Sequence, residues 1–112
     1  MNKRELGLIL SKAVKTGKCV LGFREVQKSV RGSKIIIYSN NLSKDRVKFL
    51  IDACRVANVP TLAYDGSSFE LGSLCGKKFR ISALAVKSAG DADLTSLLNG
   101  TLGPQAVQPS YA

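Results

Sequence analysis

The chain has 112 residues, 45% of them hydrophobic and 22% charged, a balance that supports one globular domain with a real core. Seventeen Lys and Arg against eight Asp and Glu give a net charge of +9, which attracts polyanions, nucleic acid being the commonest. No histidine is present, which removes the most frequent general base and every His-dependent triad, and three scattered cysteines are too few to hold zinc.

Taken in chain order, Leu6, Ile9, Leu10 and Ala13 recur at helical spacing and stop at Gly17, which predicts a first helix. Cys19-Val20-Leu21 reads as a short buried strand broken by Gly22. Phe23, Val26 and Val30 follow at i, i+3, i+7 and predict a second helix running to Gly32. Ile35-Ile36-Ile37-Tyr38 is β-branched and aromatic, the composition of a central strand. Asn40-Asn41 turns the chain, and Ser43 is placed to cap a helix with Asp45 in its first turn. Val47, Leu50, Ile51, Cys54 and Ala57 form its apolar stripe, closed by Asn58 and Pro60. Thr61 to Tyr64 predicts a third strand. Ser67 and Glu70 have capping-box spacing, opening a short helix through Leu71, Leu74 and Cys75 that Gly76 ends. Ile81 to Val86 predicts a fourth strand, and Asp91 begins a last short helix through Leu94, Leu97 and Leu98. Residues 99–112 lack a periodic apolar pattern and are expected to form a mobile tail. Alternating helices and strands make an α/β sandwich with helices on both faces of the sheet, in one domain over residues 1–98.

The positive charge is uneven. Residues 1–34 hold nine basic and two acidic residues, whereas residues 88–112 hold Asp91 and Asp93 and no cation. Cys19, Cys54 and Cys75 each lie in an apolar stretch and form no CxxC pair, so reduced, packed thiols in a cytoplasmic protein are expected. No stretch approaches the ~20 apolar residues of a membrane span. Glycine-rich phosphate loops and nucleophile elbows are absent too. Asp45 and Asp52, seven apart on one helix, read as a solvated face rather than an acid/base pair.

Three segments stand out as polar or basic breaks beside apolar strands. In Gly22-Phe23-Arg24-Glu25 a strand runs into a helix start, where glycine permits close backbone approach and free N–H groups favour phosphate. In Ser39-Asn40-Asn41-Leu42 an asparagine can donate and accept at once, which suits a base edge. In Lys77-Lys78-Phe79-Arg80-Ile81, either Phe79 or Ile81 can stack on an extruded base while Lys77, Lys78 and Arg80 meet phosphates. The plainer readings are a tight turn, a pair of turn-forming asparagines and a solvated loop. The first two segments leave the carboxyl ends of neighbouring strands, where open α/β sheets bind ligands; the third joins them only if the fourth strand is antiparallel.

Phe69-Glu70-Leu71-Gly72-Ser73-Leu74-Cys75-Gly76-Lys77-Lys78-Phe79-Arg80-Ile81-Ser82, supported by Ala89-Gly90-Asp91-Ala92-Asp93 and by Lys34-Ile35-Ile36-Ile37 leading into Asn41, resembles the archaeal and eukaryotic large-subunit ribosomal protein thirty-e family. That family lies within the superfamily of kink-turn RNA-binding proteins, and the likeness covers about nine-tenths of the chain. The resemblance implies a three-layer α/β/α sandwich around a mixed, about four-stranded sheet. It also implies a non-enzymatic protein of the cytoplasmic ribosome, without cofactor or small-molecule substrate. Its partners would be neighbouring ribosomal proteins and large-subunit rRNA at a kink-turn, an internal loop with sheared G·A pairs and a protruding nucleotide. Gly22 and Arg24 then correspond to the family's glycine and basic residue, Asn41 to its base-reading asparagine, and Phe79, Arg80 and Ile81 to the loop holding the protruding base. Two departures accompany the resemblance. The stretch from Gly22 to Lys34 is slightly shorter than the family pattern, which implies an early end to the basic helix. Gly22-Phe23-Arg24-Glu25-Val26-Gln27-Lys28 is similar to the related seven-Ae branch of guide-RNA particles, except that Arg24 replaces an asparagine. Glu25 then either accepts from a guanine or complements the helix dipole. A seven-Ae-like kink-turn-binding core protein of guide-RNA particles is the nearest rival, and a small nucleotide-acting α/β enzyme and a protein-binding module built on Leu97 and Leu98 are rivals from other classes.

Overall fold

The computed structural model describes residues 3–88 and residue 90, and alternates helix with strand throughout. Helix α1 (Lys3–Thr16) leads to strand β1 (Lys18–Leu21), helix α2 (Phe23–Lys28) to β2 (Ile35–Tyr38), α3 (Lys44–Ala57) to β3 (Thr61–Ala63), and α4 (Ser68–Leu74) to β4 (Ala83–Ser88). The strands form one sheet in the order β1-β4-β2-β3. β4 is antiparallel to both β1 and β2, while β2 and β3 are parallel. β1, β2 and β3 therefore run in one direction and β4 runs against them.

Alternation along the central strands distributes the core between two faces. Ile35 and Ile37 with Leu84 and Val86 meet Leu6, Leu10 and Ala13 of α1 and Leu71 of α4. Ile36, Ala83 and Ala85 meet Val26 of α2 and Leu50 and Cys54 of α3 on the other side. Helices covering both faces explain why β2 reads as an unbroken apolar run rather than an alternating one. The result is a three-layer α/β/α sandwich around a mixed four-stranded sheet.

Local signals set several boundaries. The Ser43 hydroxyl accepts from the Arg46 N–H at 3.3 Å and starts α3, and Asn58, in the left-handed region at φ 62°, ends it. The Ser67 hydroxyl accepts from the Glu70 N–H at 3.1 Å and starts α4. Elsewhere tertiary contacts prevail. α2 ends at Lys28, a turn before Gly32, although Val30 stays buried beyond it. The Lys87 ammonium donates to the carbonyl oxygens of Ser29 and Arg31 at 2.6 Å each, satisfying acceptors that a longer helix would have used. β4 begins at Ala83, two residues after Ile81, because the Ile81 N–H is taken by the Ser68 carbonyl of α4 at 3.0 Å. Gly72 lies inside α4. The helix expected from Asp91 through Leu98, the domain limit at residue 98 and the tail from residue 99 lie outside the described residues.

Cys54 and Cys75 are buried and Cys19 is half-buried, all three as free thiols. Burial pushes the Cys54 and Cys75 thiols up to about 12, and raises that of Cys19 as well. Cys75 also feels nearby Cys19, which pushes it up, and Lys77, which opposes both effects. Such thiols are packing groups, not nucleophiles. Among the described residues no helix is long and apolar enough to cross a membrane, and no group of His, Cys, Asp or Glu is placed to hold a metal ion.

Candidate nucleic-acid interface

The direction of β4 decides where the three singled-out segments meet. With β4 antiparallel, its amino end lies beside the carboxyl ends of β1 and β2, and backbone hydrogen bonds tie the edge together. The Gly22 N–H donates to the Ala83 carbonyl at 2.8 Å, the Ser39 N–H to Ser82 at 2.9 Å, and the Asn40 N–H to Gly66 at 3.0 Å. The breaks after β1, β2 and β3 and before β4 thus share one rim of the sheet.

At the first break Gly22 adopts φ 99°, ψ 141°, a conformation costly for any residue with a Cβ, although the space around it is open. Backbone geometry, not crowding, requires glycine there. Arg24 and Glu25 are exposed in the first turn of α2. Phe23 is half-buried against α3, its ring 6.2 Å from Phe49 at an edge-on 66°. The Arg46 guanidinium lies 4.9 Å above the Phe23 ring. The ring of Phe23 is therefore occupied by protein groups. Lys28 sits at the opposite end of α2, roughly 8 Å along the axis from Phe23. There it lines a surface cleft of about 580 Å³ with Arg31, Val56 and Lys87. The structure does not bring Lys28 to the rim.

At the second break Asn40 and Asn41 are both exposed. The Asn41 side-chain oxygen accepts from the Ser68 N–H at 2.5 Å, an otherwise unpaired donor in the first turn of α4. A donor facing that position fixes the sense of the amide: its Oδ1 is engaged and its Nδ2 remains to donate outward. Asn41 is thus oriented with its oxygen toward α4, which makes its Nδ2 hydrogens the groups best placed to meet a ligand.

The loop from α4 to β4 supplies the rest. Phe79 is 55% exposed and Lys78 and Arg80 are exposed, whereas Lys77 is half-covered. Ile81 is only 1% exposed, its side chain in the core with Leu71 and Leu84. Of the two apolar groups considered for stacking, only Phe79 presents a free face. The Phe79 carbonyl lies so close to Gly72 that a Cβ there would stand 2.0 Å from it. Gly76, at φ 79°, turns the chain out of α4, and the Lys77 N–H returns to the Gly72 carbonyl at 2.9 Å. Arg80 approaches the Ser68 hydroxyl at 3.5 Å and the exposed Phe69 ring at 6.0 Å. Ser68 and Arg46 were not singled out from the sequence, and Phe69 and Gly72 stood there only as part of the stretch that carries the resemblance. Only the closely spaced Ser67 and Ser68, of which one suffices as a cap, hinted at the first of them.

An α/β sandwich that gathers cations, an oriented asparagine amide and an open phenylalanine on one rim is a binding scaffold rather than a catalytic one. Residues 5–96 match the model of the Ribosomal protein L7Ae/L30e/S12e/Gadd45 family, and the chain belongs to that family. It is 42% identical over 87 residues to a protein of Methanosarcina mazei named large ribosomal subunit protein eL30, covering 76% of this chain and 81% of that one. Proteins of the same name from Methanospirillum hungatei and Candida albicans are 38% and 33% identical, over 79% and 85% of this chain and 92% of each relative. Membership in a family of ribosomal proteins agrees with the non-enzymatic reading of the sequence.

Proposed function

We propose that the chain is a structural constituent of the large ribosomal subunit, working in the cytoplasmic ribosome, and that its α/β domain binds rRNA at a kink-turn-like internal loop. The observation that carries this reading is the common rim, where Gly22, Arg24, Asn41, Phe79 and Arg80 approach from segments distant in sequence. In this reading Asn41 donates its Nδ2 hydrogens to an acceptor on a base edge, such as O6 or N7 of guanine. Phe79 stacks on the protruding base, with Gly22, Arg24, Glu25 and Asn40 along the adjoining backbone. Lys77, Lys78 and Arg80 meet phosphates, while Ile81 contributes its backbone position and Phe23 supports Arg46. Lys28 serves a phosphate farther along the duplex rather than the kink itself. The family relatives, named for the large subunit, support the ribosomal assignment and its neighbouring ribosomal proteins as further partners.

The test is an equilibrium titration against two short RNAs over a range of salt. One carries a kink-turn; the other has its G·A pairs replaced by Watson–Crick pairs. Preference for the kinked RNA that persists as salt rises is expected. Equal, steeply salt-dependent affinity for both would reduce the interaction to the +9 charge alone.

A further inference from the structure

We propose that Ser68, itself unable to reach a ligand, is the positioning residue that holds the rim in a binding-ready arrangement; the inference rests on the RNA-binding reading above. Ser68 is 5% exposed, yet each of its polar groups goes to a different part of the rim. Its N–H donates to Asn41 Oδ1 at 2.5 Å, its carbonyl accepts from the Ile81 N–H at 3.0 Å, and its hydroxyl accepts from Arg80 Nη1 at 3.5 Å. One residue thereby ties the loop after β2 to the loop before β4.

Each contact has a separate consequence. The N–H bond holds Asn41 Oδ1 against α4 and leaves the amide hydrogens on the other side of the group, so that residue 68 sets the hydrogen-bonding sense of residue 41. The carbonyl bond draws Ile81 out of the β4 ladder and onto α4, with Phe79 two residues back and open to solvent. The hydroxyl, together with the Phe69 ring, limits where the Arg80 guanidinium can go. An amide and an arginine fixed before binding lose less freedom on binding than free ones.

Helix chemistry separates this role from plain structural support. Ser67 is the cap of α4 and Ser68 its first helical residue, the position where proline is best tolerated because its missing N–H is needed by no helical bond. Ser67 has φ −77° and ψ 167°, which suits a residue preceding proline. Ser68→Pro therefore removes both the donor to Asn41 and the hydroxyl while keeping α4, whereas Ser68→Ala removes only the hydroxyl, so the difference between the two isolates the N–H.

The experiment titrates the full chain as wild type, Ser68→Ala, Ser68→Pro, Asn41→Ala and the Ser68→Pro/Asn41→Ala double variant against the kink-turn RNA and its Watson–Crick control, with melting curves for each protein. Ser68→Pro is expected to lose about tenfold in affinity for the kinked RNA, with control binding and melting temperature near wild type. In the Asn41→Ala background it should add no more than the loss that Ser68→Ala causes alone, since the amide it orients is gone and only the hydroxyl bond to Arg80 is left to lose. Ser68→Ala should lose less than Ser68→Pro. Wild-type affinity in Ser68→Pro, or a full additive loss in the double variant, overturns the proposal. Should Ser68→Pro fail to fold, amide exchange decides: the Ser68 N–H is expected to be protected in the wild type and unprotected in Asn41→Ala, and equal exchange in both refutes the coupling. A wild-type protein that does not distinguish the two RNAs instead overturns the RNA reading itself, before any variant is compared.

Discussion

Replacing Gly72 by alanine sets two effects of opposite sign against each other. In a helix interior alanine is favoured over glycine by roughly 0.8–1 kcal/mol, so on propensity alone the variant should be more stable. The structure says otherwise. The added Cβ would lie 2.0 Å from the Phe79 carbonyl oxygen, and reaching an ordinary 3.4 Å contact means moving that backbone by about 1.4 Å (3.4 − 2.0). Overpacking of this kind costs about 1–3 kcal/mol, which exceeds the propensity gain and leaves a net loss of about 1 kcal/mol. Thermal unfolding followed by circular dichroism should then show a fall of roughly 4–8 °C. Gly7→Ala is the matched control. Its Cβ meets only the tip of the Leu74 side chain, at 2.9 Å, which can rotate away, so the same substitution in α1 should be neutral or mildly stabilising. RNA titration adds a second readout, because the displaced carbonyl belongs to Phe79 and binding should weaken in Gly72→Ala alone. A rise in melting temperature in Gly72→Ala equal to that of the control would refute the close-approach argument.

Asn41→Ala and Phe79→Ala should each weaken kink-turn RNA binding by about 1–3 kcal/mol in a folded protein; undiminished affinity in both removes the site assignment. Lys87→Met discards two 2.6 Å bonds to the Ser29 and Arg31 carbonyls, and urea unfolding should register a loss of about 2 kcal/mol. An unmoved midpoint would mean that water replaces the ammonium without cost. The thiols of Cys54 and Cys75 stay protonated to about 12 in the fold but ionise near their ordinary 9.0 once unfolded. The folded state therefore holds more protons above pH 9: this stabilisation is complete below pH 9 and shrinks as pH climbs toward 12. Melting temperatures in reducing buffer between pH 8 and 11 should fall less steeply for Cys54→Ala than for wild type, and parallel curves would contradict the burial argument.

What the sequence disclosed follows a physical division. Periodicity and caps are local, so Ser43, Asn58 and Ser67 marked α3 and α4 closely, and the isoleucine run of β2 declared a strand covered on both faces. The early end of α2 was implied by the shortened stretch from Gly22 to Lys34, but the group that meets its freed carbonyls, Lys87, lies 58 residues from Ser29, and no local pattern identifies it. Ile81 has the apolar, β-branched character of a strand residue, yet a bond from α4 holds it outside the ladder. The same separation governs the rim. Gly22, Asn41 and Phe79 stood out by residue type, but the sense of the Asn41 amide depends on Ser68, 27 residues away. Burial was likewise decisive for Ile81 against Phe79, two neighbours in one loop that composition could not rank.

The sheet order has a consequence for how the protein is made. β4 is the last described strand in the chain, yet it occupies a central place, and among the described residues it is the only strand that pairs with β1. A nascent chain that has emerged only as far as α4 holds β2 and β3 as partners but leaves β1 without one, and lacks the Ala83 carbonyl that anchors Gly22. Insertion of that strand between β1 and β2 closes pairings spanning about fifty to seventy residues, the slow, non-local kind of step in folding. The rim is consequently completed late, and an incompletely synthesised chain holds at most the part of it built on β2, β3 and α4.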